Sequence, residues 1–322
     1  MNYTQLTEEE RYQIYAYMKA GYSQEEIAAE LGRHASTISR ELNRNRGLKG
    51  YRPKQAQQLS HRRRVCAYKH RKLTPFVNKQ IKKLLSQDLS PEQIAGYLTK
   101  AGIVNLSHET IYRFIYADQS NGGHWYLKLR QIPKGYRKRY GSYQRRGQII
   151  GRVSIDRRPA VVDRKTRIGD WEADTIIGKG RKSALLTFVE RKSLYAVIIK
   201  LADRSATGLA DRLTATLERW SDKIKTITVD NGREFAEHQV IAEQLQAKVY
   251  FADPYSSWQR GINENTNGLI RQYFPKGTDF NEVTASQIRK VMRRLNYRPR
   301  KTRGYKTPHE VFFGQPVDLL AA

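Results

Sequence analysis

Apolar positions recur at helical spacing through roughly the first 120 residues and change to strand-like runs beyond residue 170. The helical part contains an internal repeat. Ser23-Gln-Glu-Glu-Ile-Ala-Ala-Glu-Leu31 is echoed by Ser90-Pro-Glu-Gln-Ile-Ala-Gly-Tyr-Leu98, and the tetrapeptides Thr37-Ile-Ser-Arg40 and Thr110-Ile-Tyr-Arg113 follow in register. The Ile-to-Ile offset is 11 residues in the first copy (27 to 38) and 17 in the second (94 to 111), so the second copy carries a longer turn. Each copy predicts a helix-turn-helix. Ser23 and Ser90 are N-caps, Pro91 occupies the favoured first helical position, and Ile27, Ala28, Leu31 and Ile94, Ala95, Leu98 form apolar stripes. A leading helix over 8–19, with Ile14 and Met18 inward, completes the first three-helix unit. One over 75–85, with Val77, Ile81 and Leu84 inward, completes the second.

In the first copy Ile38 and Leu42 pack back, which turns short polar and basic side chains outward: Ser36, Thr37, Ser39, Arg40, Asn43 and Arg44. Such side chains suit base edges and phosphates. Thr110 and Arg113 are their counterparts, although the outer face of the second copy (His108, Glu109, Tyr112) is less basic and equally suits protein contacts.

Beyond residue 168 the pattern predicts strand, strand, strand, helix, strand, helix, strand, helix. The strands span 171–177, 184–190, 194–201, 224–229 and 248–251; the helices span 205–220, 234–245 and 260–273. Three meandering strands followed by α/β units imply a mixed sheet covered by helices.

Charge sharpens this picture. The 322 residues carry 59 Lys and Arg against 31 Asp and Glu, a net +28. So large an excess favours a polyanionic partner, nucleic acid before an anionic membrane, and no apolar run approaches the ~20 residues of a membrane span. Between the repeats, 46–72 carries ten basic residues and no acid, including Arg62, Arg63 and Arg64. A second basic stretch, 128–167, interleaves Tyr136, Tyr140 and Tyr143 with Arg137, Lys138, Arg139, Arg145 and Arg146, suited to tracking a phosphate backbone. Both are expected to be mobile arms without nucleic acid. The N-terminus is acidic where a signal peptide would be basic, and a single cysteine, Cys66, leaves no disulfide framework, so a reducing, cytoplasmic compartment is expected. The expected organisation is a first helix-turn-helix module at 1–46, a basic linker at 47–72, a second module at 73–120, a basic linker at 121–167 and an α/β domain with a helical tail at 168–322.

Three acids stand at element ends. Asp174 lies in Gly169-Asp-Trp-Glu-Ala-Asp174, Asp230 ends the strand before Asn231-Gly232, and Glu264 opens the last helix of the sheet domain. Hard divalent cations prefer carboxylate oxygens, and two such ions ~3.5–4 Å apart can activate an attacking oxygen and stabilise a leaving one. Asp170, Glu172 and Asp174 alternate and share one face of their strand. Asp174 is preferred because the apolar strand continues through Ile176 and Ile177; Glu172 is the alternative, as a ligand or a supporting group.

Trp171-Glu-Ala-Asp174, Val229-Asp-Asn-Gly232 and Arg260-Gly-Ile-Asn-Glu-Asn265 resemble the DDE motif of bacterial insertion-sequence transposases. The 33 residues between Asp230 and Glu264 match the spacing of the IS30 family, and Asn296-Tyr-Arg-Pro-Arg-Lys-Thr-Arg-Gly-Tyr-Lys-Thr-Pro-His-Glu-Val311 is similar to the tail of that family and of integrase cores. The resemblance implies two all-α helix-turn-helix modules followed by an α/β ribonuclease-H-like (integrase core) domain. It implies catalysis by Asp174, Asp230 and Glu264 holding two Mg²⁺ ions, with Mn²⁺ able to substitute. It further implies double-stranded DNA partners (terminal inverted repeats and target), cleavage and strand transfer, and a homodimer or larger assembly in the bacterial cytoplasm at the nucleoid. Arg271, two helical turns beyond Glu264, is either a phosphate clamp or a surface arginine. His238 is expected to cap or lie on the surface rather than face the site, and Trp258 and Tyr255 to pack rather than stack on a base.

Overall fold

The computed structural model describes residues 5–67, 72–130, 149–181, 183–202, 205–254 and 256–321 and divides into two compact units, 1–71 and 72–322.

In the first unit α1 (Glu8–Lys19), α2 (Gln24–Glu30) and α3 (Ala35–Asn45) are followed by a small antiparallel hairpin, β1 (Arg46–Gly47) and β2 (Gly50–Tyr51), and by α4 (Pro53–Cys66). Thr7 and Ser23 close capping boxes with Glu10 and Glu26, so the first two helices begin where their sequence signatures lie. Ile14, Ile27, Ala28, Ile38, Tyr51 and Ala56 form the core. Two expectations are corrected here. Met18 is 38% exposed, and the inward position on α1 belongs instead to Arg11, buried against Glu41 at 2.8 Å. The stretch expected as a mobile basic linker holds the hairpin and α4. Pro53 starts that helix, Ala56 is fully buried, and Gln57 accepts a hydrogen bond from Arg11 at 2.7 Å, so residues 47–66 are packed structure.

The second unit begins with α5 (Pro75–Ser86), α6 (Pro91–Lys100) and α7 (His108–Ser120), around a core that includes Ile81, Leu84, Ile94, Leu98, Ile111 and Ile115. Thr74, Ser90 and Ser107 cap the three helices. Leu319, more than two hundred residues later, is part of the same core. Around it, the Tyr97 hydroxyl accepts from the Leu319 N–H at 3.0 Å and donates to Asp318 at 3.1 Å, and Lys83 donates to the Leu320 carbonyl at 2.6 Å. Ion pairs Lys100–Glu310 and Lys301–Glu92, at 2.7 and 2.6 Å, tie α6 to residues 301–310 as well. Gly96 permits this docking, because a Cβ there would lie 2.3 Å from the Tyr305 ring.

After α8 (Ala160–Arg164) a five-stranded sheet forms from β3 (Asp170–Ile177), β4 (Ala184–Glu190), β5 (Ala196–Leu201), β6 (Thr226–Val229) and β7 (Lys248–Phe251), in the order β5-β4-β3-β6-β7. The first three strands are antiparallel; β6 pairs parallel with β3 and with β7. Helices α9 (Ala206–Leu217), α10 (His238–Gln244), α11 (Gly261–Ile270), α12 (Ala285–Asn296) and α13 (Pro308–Phe313) complete the unit. The helix expected at 234–245 starts at His238, after a 3-10 turn over Arg233–Phe235.

The pleat of β3 sorts its side chains. Trp171 and Ala173 enter a core with Phe188, Leu209, Leu213 and Phe312. Ile176 lies on the opposite face and packs with Leu269 and Ile270 of α11 and with Val291 and Leu295 of α12. Asp170, Glu172 and Asp174 share the parity of Ile176 and so point to the face that α11 crosses.

Candidate active site

Asp174 stands in the middle of β3, opposite Thr187 of β4, and Asp230 follows the last residue of β6. The parallel pairing of β3 with β6 brings the two acids side by side. Asn231 and Gly232 turn the chain at once: the Gly232 N–H donates to Oδ1 of Asp230 at 2.9 Å, and Asn231 donates to the Ala252 carbonyl at 2.6 Å. A Cβ on Gly232 would lie 2.6 Å from the Glu234 carboxylate and 2.8 Å from that of Asp230, so glycine leaves room for both acids. Glu234 in turn accepts from the Thr175 hydroxyl at 2.8 Å.

Helix α11 supplies the opposite wall. The Arg260 guanidinium, just before its first turn, reaches Oδ1 of Asp174 with one nitrogen and Oδ2 of Asp230 with the other, each at 3.3 Å. Asn267, two turns along, donates to Oδ2 of Asp174 at 2.9 Å. Glu264 lies between them on the helix, four residues after Arg260 and three before Asn267, and therefore on the same face. Its side chain is exposed. Among the described residues no three His, Cys, Asp or Glu side chains are gathered as a metal site; of the three expected acids, Asp174 and Asp230 come together on Arg260. The aspartate pair nonetheless fits a hard cation, because its oxygens already converge on a shared positive group. Burial raises the Asp174 carboxyl above the ordinary aspartate range; Arg260 works against that, and Asp230 adds to it.

Glu172 is buried behind this site. It pairs with Arg191 at 2.5 Å and accepts from the Asn263 backbone N–H at 2.9 Å, which anchors the start of α11 to the sheet. Burial raises this carboxyl too, against the Arg191 charge and the Asn263 N–H. Asp163 bridges Arg191 and Arg158 at 3.3 and 2.5 Å. Arg260 and Asn267, which touch the aspartates, were not singled out in the sequence, although their i−4 and i+3 spacing from Glu264 marks one helix face. Glu172–Arg191 is a long-range pairing without a local signal.

Other expected residues have definite places. Arg271 donates to the carbonyls of Ile177 at 2.7 Å and Pro275 at 3.3 Å, which makes it a tie between α11 and the end of β3. His238 is buried, its ring nitrogens near the carbonyls of Ala236 and Gly151 at 3.1 and 3.4 Å, so it is neither a surface residue nor the cap of α10. Trp258 is 74% exposed, contrary to the expectation of packing, and Tyr255 lies outside the described residues. On α3, Arg40, Asn43 and Arg44 are exposed while Ser36, Thr37 and Ser39 are half-buried; His34 caps this helix through the Ser36 N–H at 3.2 Å. Arg62 is exposed. Arg63 donates to the Arg44 carbonyl at 2.6 Å and to Asn45, satisfying the end of α3, and Arg64 donates to Gln5. Thr110 is held in the Ser107 cap, and the exposed Arg113 sits 3.6 Å from Glu109. Arg137, Lys138 and Arg139 lie outside the described residues.

Comparison with known proteins agrees with this layout. An integrase core domain matches residues 164–257, a helix-turn-helix domain residues 2–45 and a homeodomain-like domain residues 37–115. The mixed sheet with two acids at the adjacent strands β3 and β6 is thus the catalytic domain of a DDE-type, ribonuclease-H-like DNA transposase preceded by helix-turn-helix DNA-binding modules. The transposase for insertion sequence element IS4351 of Bacteroides fragilis is 47% identical, with 95% of each chain covered. Transposase InsI for element IS30A of Escherichia coli is 36% identical over 95% of this chain and 82% of its own. The transposase for IS1086 of Cupriavidus metallidurans is 37% identical over 99% of this chain and 98% of its own. The chain belongs to the IS30 family of insertion-sequence transposases. Integrase cores depend generally on a divalent metal, and no helix among the described residues is long and apolar enough to cross a membrane.

Proposed function

We propose that the chain moves its own insertion sequence, with Asp174, Asp230 and Glu264 as the catalytic acids and as ligands of two Mg²⁺ ions, for which Mn²⁺ substitutes. The observation that carries this reading is that Asp174 and Asp230 share one cation, the Arg260 guanidinium, at the start of the helix that bears Glu264. Ions held there would supply Lewis-acid activation of the attacking oxygen and stabilisation of the leaving one. The chain's own residues do the positioning. Asn267 holds the Asp174 carboxylate in one orientation, Glu172 anchors the backbone of α11, and Arg260 neutralises the paired aspartates.

The reaction runs in two displacements at phosphorus. Water attacks a phosphodiester at the element end and breaks its bond to the 3′ oxygen, which leaves as a 3′-hydroxyl. That hydroxyl then attacks a target phosphodiester, forming a new P–O bond as the target's own 3′ oxygen departs. Terminal inverted repeats are read through α3, with Arg40, Asn43 and Arg44 at the groove, and Arg62, Arg113, Arg137, Lys138 and Arg139 add backbone contacts. Because two element ends must meet, the working form is a homodimer or larger assembly, acting on DNA in the bacterial cytoplasm.

The test is an oligonucleotide assay with a pre-cut element end and Mg²⁺. Joined products from the 3′-hydroxyl donor are expected with the wild type and absent with Asp230→Asn. Hydrolysis without joining would leave a nuclease and overturn the reading.

A further inference from the structure

A second cationic site lies away from the acids, where the module α5–α7 meets the tail after α12. Arg298 is 1% exposed, yet only its Nη2 has a partner, the Tyr273 hydroxyl at 2.8 Å; Nε and Nη1 have none among the described residues. Arg300, half-buried, donates to the Leu295 carbonyl at 3.3 Å, and its Nε is likewise unpartnered. Arg130, exposed beyond α7, completes the group, its one hydrogen bond a long 3.4 Å contact to Gln93. None of the three forms an ion pair with a described carboxylate. The acid of this neighbourhood, Asp88, is shared by Arg294 at 3.7 Å and by the Tyr273 hydroxyl at 3.3 Å.

Burial, and then the neighbouring guanidiniums of Arg298 and Arg130, push Arg300 down to about 9. An arginine keeps its proton at neutral pH even so. The charge therefore stays, in a place where unpaired charge is costly and where each guanidinium lies within the field of the others. Such forks match phosphate oxygens bidentately.

We propose that Arg130, Arg298 and Arg300 form a binding site for a phosphate group. In a DNA transposase that group is a backbone phosphate of the bound duplex, seated between the second helix-turn-helix and the catalytic domain. The identity of the duplex as element DNA rests on the function proposed above; the phosphate chemistry does not. Free phosphate is the other possible source.

Two measurements on the full-length protein separate the sources. Arg130→Gln and Arg300→Gln are the variants, since replacing the buried Arg298 would destabilise the fold itself. In the first measurement inorganic phosphate is added at constant ionic strength and the melting temperature is followed. In the second, affinity for a random-sequence duplex is measured against salt, where each lost phosphate contact lowers the log–log slope by about 0.9. A slope reduced in both variants assigns the site to DNA. A phosphate-induced rise in melting temperature that vanishes in the variants, with the slope unchanged, assigns it to free phosphate. If neither response changes, the site does not exist. Neither readout requires cleavage or joining, so failure of the catalytic reading would be seen separately, in the joining assay.

Discussion

The side-chain amide of Asn267 donates to Oδ2 of Asp174 at 2.9 Å, which ties the middle of α11 to the middle of β3. That bond sets the orientation of a carboxylate whose other oxygen faces Arg260. Replacing Asn267 by Ala is expected to lower cleavage and joining about 10- to 100-fold, the range for groups that orient a metal ligand, with duplex affinity unchanged. A strand-transfer assay beside a binding titration measures both; equal loss in the two would assign Asn267 to DNA binding instead.

Glu172 and Arg191 form a pair buried on both sides. Removing one partner strands the other, so Arg191→Met should destabilise the second unit by about 3–5 kcal/mol, while the double change Glu172→Met/Arg191→Met should recover much of the loss. Denaturant unfolding of the three variants decides this. A double mutant as unstable as the single would show that Arg191 acts through Asp163 or the Val162 carbonyl, its other partners.

Arg11, on α1, joins two other helices and the leading segment of the first unit: it pairs with Glu41 on α3, reaches Gln57 on α4, and donates to the Leu6 carbonyl ahead of α1 at 2.8 Å. Glu41→Ala leaves this guanidinium buried and unpaired, at a cost of about 3–5 kcal/mol. Recognition of element ends is expected to disappear, while weak, salt-sensitive binding by the remaining basic surface persists. Footprinting with Ca²⁺ in place of Mg²⁺ reads this without cleavage.

Glu310 gives a pH-dependent effect whose sign is defined. Burial alone would raise its carboxyl, but Lys100 and the Thr307 cap outweigh burial and hold it below the ordinary glutamate value. A depressed pKa contributes stability above the unfolded value, near 4.3, and loses it as pH falls through the folded one. Glu310→Gln should therefore lower the melting temperature at pH 7, by an amount equivalent to at most about 1 kcal/mol for a partly exposed pair. The difference should close in acid, once pH has fallen through the depressed folded value. A gap that persists in acid would mean that the Lys100 contact contributes little.

Much of this was readable from spacing alone. The repeat beginning at Ser23 and Ser90 located both helix-turn-helix units because N-caps and i, i+4 stripes are local signals. The alternation Asp170, Glu172, Asp174 correctly put three acids on one face of β3. What local pattern could not carry was pairing across the fold. Arg11 looked polar and Met18 apolar, so the inward position went to Met18; only Glu41, thirty residues away, makes a buried arginine tolerable. The run 47–72 looked like a mobile basic arm because its charge hid Ala56 and the ties of Gln57 and Arg63. Trp258 was expected to pack because large apolar rings usually do, whereas it stands exposed beside Arg260.

Leu319 completes the interior of α5–α7, and Gly96 makes space for Tyr305 against that module. A newly made chain thus has residues 75–120 outside the ribosome long before the side chain that closes their core exists. Contacts of such sequence separation form late and slowly. The second helix-turn-helix reaches its finished form only after Leu319 has been translated, so a product interrupted before it would carry a finished first module and a second still open.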